Sequence, residues 1–358
     1  MSEQKKTMIG GQALIEGIVM RGRHVACMAL RLPDGEIELI PKKLSPLADK
    51  NIFFRFPIVR GIVGFIEALI FGYNCLIESA EKTSLEEIET KSKFEKWIEK
   101  RLGDKMMKFI GVVSAALGII LSLLLFMYLP AWIVDMMDKW VFDYVLEQHK
   151  LHPLFEGVIK IFVFVIYLWA VSKMQDIKRT FMYHGAEHKT IFCYENGVPL
   201  TVENVRIQSR FHPRCGTSFM FVMMIISIFI STILIVLFPW LGNNRALWVF
   251  AKLLVLPLIM GIGYEFIKYA GRKENFFIKI FSAPGLWMQR ISTVEPTDDM
   301  IEIAIFAFEH VLENEPDLDI KIETKNRGNN EKSKKGNRIS CKCRCKSARR
   351  TDRSERTY

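Results

Sequence analysis

Long uncharged runs dominate the middle of this chain. Phe109 to Val134 contains no charged residue, and Cys215 to Asn244 is a second such run. At 1.5 Å of rise per helical residue, each is long enough to cross a hydrocarbon core of about 30 Å. Leu154 to Ser172 and Trp248 to Ile267 read as two further spans. Their charges, Glu156, Lys160, Lys252 and Glu265, sit near the ends, where long side chains can snorkel towards the headgroups. Four spans are expected.

Outside these runs the period changes. His24 to Arg31 alternates apolar and polar positions, Pro33, Asp34 and Gly35 supply a turn, and Glu36 to Ile40 alternates again, which predicts a β-hairpin. Gly10, Gly11, Gly17 and Gly22 cluster just before it; they form neither a dinucleotide fingerprint nor a P-loop, so close backbone packing is the expectation. From Pro57 to Ile77 an apolar segment carries Arg60, Glu67 and Asn74 at intervals of seven. On a helix these make a polar stripe along a greasy surface, suited to the membrane interface or to packing on the spans. Thr83 and Ser84 with Glu86 and Glu87 predict the cap of a charged helix running to Arg101. Phe276 to Ser292, with Pro284, Gly285 and Trp287, predicts an interfacial segment broken by a turn. Thr297 is expected to cap a last amphipathic helix with Asp298 and Asp299 in its first turn.

Charge sets the expected orientation. Asp135, Asp138, Asp143 and Glu147 outnumber Lys139 and Lys150 between the first two spans. The next connection carries Lys173, Lys178, Arg179, Lys189, Arg206, Arg210 and Arg214. By the positive-inside rule that connection is cytoplasmic, and an even span count brings both termini to the same side of the cell membrane. Met1 to Lys6 is polar and not followed by a signal-peptide core, so cleavage and secretion are not expected. The cysteines then meet a reducing compartment, which favours thiols or metal ligands over disulfides. The net charge of +10 comes entirely from residues 325–358, where 13 Lys and Arg face 3 acids. That composition predicts a disordered basic tail able to contact anionic lipid or RNA. Cys341, Cys343 and Cys345 alternate within it at a spacing unlike a zinc knuckle.

Chemistry concentrates between the second and third spans. Three of the seven histidines fall there, in Tyr183, His184, Gly185, Ala186, Glu187, His188, Lys189 and in His212, Pro213, Arg214, Cys215, Gly216. His184 and His188 share one face of a helix with Glu187 beside them, the H-x-x-E-H order of inverted zinc hydrolases. A catalytic zinc takes three protein ligands and one water, so His212 or Cys215 would supply the third ligand and Glu187 the general base. Thr201 with Val202 to Gln208 predicts a short helix that returns the chain towards the pair. If all four of His184, His188, His212 and Cys215 bind, the site is closed and structural. Alternatively Cys215 is a nucleophile activated by a histidine, or the histidines bond only to carbonyls and lipid phosphates. Gly185 weakens the helix on which the spacing depends.

The segments GGQALIEGIVMRG, YHGAEHKTIFCYENG, RFHPRCGTSF and VEPTDDMIEIAI, in that order, resemble the YqhQ family of bacterial membrane proteins over about Met8 to Pro316. The resemblance implies a metal-dependent enzyme, an implication that rests on these same histidine motifs. The expected architecture is a mainly α, polytopic membrane protein. It divides into a β-containing module (1–50), amphipathic and charged helices (51–106), a first transmembrane pair (107–172) and the cytoplasmic motif loop (173–217). A second pair (218–267), an interfacial segment with a C-terminal helix (268–324) and the tail (325–358) follow. The expected function is zinc-dependent hydrolysis of a lipid-linked or membrane-adjacent substrate. A membrane scaffold or assembly factor is the competing class. A transporter is third, since internal repeats are lacking and Glu67 and Glu265 are the intramembrane charges it would use.

Overall fold

The computed structural model describes residues 7, 9–83, 113–114, 116–142, 151–213, 215–270 and 276–315. The expected charged helix after Thr83, Asp143, Glu147, Lys150, Arg214 and the basic tail with its three cysteines lie outside them. Four antiparallel strands open the chain: β1 (Gly10–Leu14), β2 (Gly17–Arg21), β3 (Val25–Arg31) and β4 (Ile37–Lys43), in the spatial order β1-β2-β3-β4. The expected hairpin is β3 and β4. The glycine cluster extends it by a second hairpin, pairing Gly10 with Arg21 and Leu14 with Gly17 around a turn in which Glu16 has φ +50°.

Nine α-helices of five residues or more follow among the described residues. They are α1 (Val59–Thr83), α2 (Ala116–Trp140), α3 (His152–Val171), α4 (Gln175–Glu195), α5 (Val202–Arg206), α6 (Gly216–Leu237), α7 (Arg245–Ala270), α8 (Phe276–Ser292) and α9 (Asp298–Asn314). Helix α8 runs unbroken through Pro284, where the sequence suggested a turn. Thr297 is the N-cap of α9, but its side chain makes no capping bond. The amides of Met300 and Ile301 donate to its carbonyl instead.

The sheet is covered on both faces, which explains why β2 is buried at nearly every position. Ile18, Met20, Cys27 and Ala29 pack with Tyr183, Ala186 and Ile191 of α4, Val205 of α5 and the apolar stripe of α9 that includes Ile301, Ala304 and Phe308. On the other face, Leu14, Val19, Met28 and Leu30 meet Cys75 and Phe71 of α1. The Glu315 carboxylate, 5% exposed, ties the end of α9 to the sheet by accepting from the amides of His24 and Val25 at 2.9 to 3.1 Å.

Five helices, α1, α2, α3, α6 and α7, are long and apolar enough to cross a membrane. Their connections constrain how many do. The sheet precedes them, α4 and α5 interrupt them and α9 follows them, yet all of these pack into one core. A bilayer cannot divide a packed core, so an even number of crossings separates each of these segments from the next. Helices α6 and α7 supply two after α4. Before α4 the candidates are α1, α2 and α3. The second half of α1 is tied to the sheet module. Ser79 Oγ accepts from the Ile15 amide, Glu78 pairs with Lys42 at 2.6 Å and Lys82 with Glu38 at 2.7 Å.

Arg60 and Glu67 of α1 are also partnered. Arg60 makes a two-pronged ion pair with Glu265 of α7, at 2.7 and 2.5 Å, and Glu67 accepts from the Leu47 amide at 2.8 Å. Glu156 and Lys252 do not snorkel as expected. Glu156, 2% exposed, bonds directly to Lys252, accepts from Trp248 Nε1 at 3.3 Å and has Lys160 at 4.0 Å, clamping α3 to α7. Inside an apolar bundle, pairing is what allows such charges to remain.

Candidate metal centre

The connection expected as a loop is largely helix. Helix α4 carries the whole H-x-x-E-H motif, and Tyr183 and residues 185 to 191 are buried. Gly185 sits where the chain after α8 crosses the helix: a Cβ there would lie 2.2 Å from the carbonyl oxygen of Val294. Its absence permits the crossing, and the Val294 amide donates to Phe181 O at 2.9 Å. The small residue that weakens the helix locally is thus the one that lets the site close.

The two histidines are oriented by backbone. His184 Nδ1 donates to Ser292 O at 2.8 Å and His188 Nδ1 donates to Arg210 O at 2.5 Å. A carbonyl can only accept, so each ring holds a proton on Nδ1 and Nε2 is the nitrogen left to face the interior. His184 Nε2 lies 3.2 Å from Cys215 Sγ. One ligand atom each from His184, His188 and Cys215 all fall within 4.8 Å of one another. Tetrahedral zinc with bonds of about 2.0 to 2.3 Å needs ligand atoms a little under 4 Å apart, within reach of small rotamer changes.

His212 stands apart from this set. Its backbone is held by Gln289, which accepts from its amide and donates to its carbonyl, both at 2.7 Å. Its ring lies beside Phe192 with Nε2 3.7 Å from Glu195 Oε2. Sequence spacing treated His212 and Cys215 as equivalent; the close cluster takes in Cys215, while the His212 ring lines the same cavity with its centroid 5.7 Å from that of His188. Gln289, Ser292 and Glu195 were missed as supports, because their partners lie on segments distant in the sequence.

Glu187 is 6% exposed and faces the same cavity. Among the described residues its carboxylate makes no hydrogen bond. It packs over Gly11 of β1, where a Cβ would lie 2.9 Å from Glu187 Cγ and Cδ. The cavity, about 250 Å³, is lined by Thr7, Gly10 and Gly11 on the strand side and by His184, Glu187, His188, His212 and Cys215 on the helical side. That volume holds several waters or a small reacting group.

Burial opposes ionisation of Cys215, but His184 and His188 outweigh it and hold the thiol well below its usual range. Burial likewise opposes the charged form of His184, and the adjacent Cys215 reverses this, pushing it up to about 9. Both shifts favour the charged forms, the thiolate on Cys215 beside a protonated His184, and a thiolate is the form that ligates metal. Lys189, 3% exposed, pairs with Glu295 and donates to Arg206 O at 2.7 Å, and Arg206 pairs with Asp298, fixing the wall of the site to α9.

These features describe a helical, membrane-associated protein with a His-His-Cys cluster and a carboxylate at the edge of a small sheet. The family model "Protein of unknown function (DUF1385)" matches residues 56–314, and the chain belongs to this family. It is 33% identical over 308 residues to "Uncharacterized protein YqhQ" of Bacillus subtilis (strain 168), covering 85% of this chain and 92% of that protein. No solved structure matches.

Proposed function

We propose that this protein is a metal-dependent membrane hydrolase with its site on the cytoplasmic face of the cell membrane. The observation that carries the reading is the donor set: two histidines with Nδ1 bound to backbone carbonyls and Nε2 turned to one thiol. Metal-binding histidines characteristically donate their second nitrogen in this way. His184, His188 and Cys215 would hold zinc, which supplies Lewis acidity that activates a water at neutral pH. Glu187 faces that cavity with its carboxylate uncommitted and takes the water's proton as general base. His212 would lie outside this ligand set.

Glu187→Gln tests the assignment, because it preserves size and removes the base. The variant should retain insertion and bound zinc but lose at least about a hundredfold of activity, read through complementation of a deletion strain at equal protein level. Full complementation would reject the hydrolase and favour a scaffold with a structural metal. A second reading is supported by the 3.2 Å His184–Cys215 contact, which suits a thiolate nucleophile. It predicts that zinc loading inhibits, whereas the metal reading predicts that it activates.

A further inference from the structure

Among the described residues strand β1 has an open edge, and that edge borders the cavity. It is the outer strand of the sheet, and its hairpin closes on the Leu14–Gly17 pair. In an antiparallel ladder hydrogen-bonded and non-bonded pairs alternate. Counting back from that closing pair, Leu14, Gln12 and Gly10 bond to β2, while Gly11 and Ala13 turn their amides and carbonyls outward. Among the described residues these outward groups have no partner. Gly10 and Gln12 are exposed and Gly11 and Ala13 half-buried, so the edge is accessible.

We infer that the substrate is an extended polypeptide segment that pairs with the outer edge of β1 and presents one of its peptide bonds to Glu187. This rests on the metal-hydrolase reading. A row of alternating donors and acceptors matches a peptide main chain and has no counterpart in a lipid or sugar. A strand added to β1 runs about 4.8 Å from it. The residue that would exchange hydrogen bonds with it, Gly11, is the one whose missing Cβ leaves room for the Glu187 carboxylate. Gly10 and Gly11 put no side chain between this edge and the cavity. In the reaction, water adds to the peptide carbonyl carbon as Glu187 removes its proton. The C–N bond then breaks and the same carboxyl returns the proton to the departing amine, giving a carboxylate and an ammonium without redox change.

Two zinc-directed probes separate this inference from the reading beneath it. Acetohydroxamate reports the metal alone, and a hydroxamate extended by a leucyl-alanyl-alanine main chain reports the metal and the edge. On the zinc-loaded full-length protein in detergent, calorimetry should show the extension tightening binding at least about tenfold. N-methylation of its amides should remove the gain. Ala13→Pro should also remove it without altering acetohydroxamate binding, because the deleted amide points outward and the ladder to β2 survives. If that variant fails to fold, the N-methylated probe on the parent protein decides. Acetohydroxamate binding with no gain from the extension would overturn the peptide inference alone. Failure of acetohydroxamate to bind would overturn the metal reading and the inference with it.

Discussion

Gly11→Ala isolates the contact between the sheet and the proposed base. The added Cβ would lie 2.9 Å from Glu187 Cγ and Cδ and from Met20 Sδ. Carbon contacts settle at about 3.5 to 4.0 Å, so these neighbours must retreat by roughly 0.6 to 1 Å. Both are flexible side chains, and the destabilisation should be about 1 to 2 kcal/mol. In a chain of this size that lowers the thermal midpoint by about 1 to 3 °C. A base displaced by about 1 Å should lose on the order of a hundredfold in activity, far more than the stability change explains. Glu187→Ala removes the larger half of the clash, so Gly11→Ala should cost at least about 0.5 kcal/mol less in that background. Thermal midpoints of the four proteins of the cycle, purified in detergent, measure the coupling. Equal destabilisation in both backgrounds would refute the claim that this glycine exists to seat Glu187.

Further measurements address the ligands, the supports and the topology. His188→Ala and Cys215→Ser should each reduce bound zinc to well under one per chain by elemental analysis, whereas His212→Ala should leave it near the parent level. In metal-stripped protein Cys215 should alkylate with iodoacetamide at pH 7 at a rate that changes little towards pH 9, because its thiol is already ionised. Cys27, buried and pushed up to about 12, should stay silent, and zinc should protect Cys215. Glu315→Ala leaves the amides of His24 and Val25 without their acceptor and should lower stability by about 2 to 4 kcal/mol in denaturation. Single cysteines introduced at the exposed positions Ser45, Glu203 and Glu313 should label from the same side of the membrane; a split pattern would contradict the shared core.

Composition and periodicity determined much of this protein. Uncharged runs of membrane length have one stable outcome, a helix that satisfies its own backbone, so α2, α3, α6 and α7 were legible from residues alone. Four-residue spacing aligned His184 with His188 because it is a property of any helix, whatever surrounds it. Other features depend on which distant segments meet. The strands β1 and β2 are rich in glycine and carry little alternation, and only burial between α1 and the α4–α9 layer makes them a sheet. Helix α1 is apolar enough to span, and only the fold shows the Lys42, Lys82 and Ser79 contacts that bind it to that sheet. His212 and Cys215 are three residues apart and chemically interchangeable as ligands; Gln289, 77 residues on, grips the His212 backbone while the thiol turns to His184. Local rules fix how a segment coils, but which neighbour fills each face is set by packing across the whole chain.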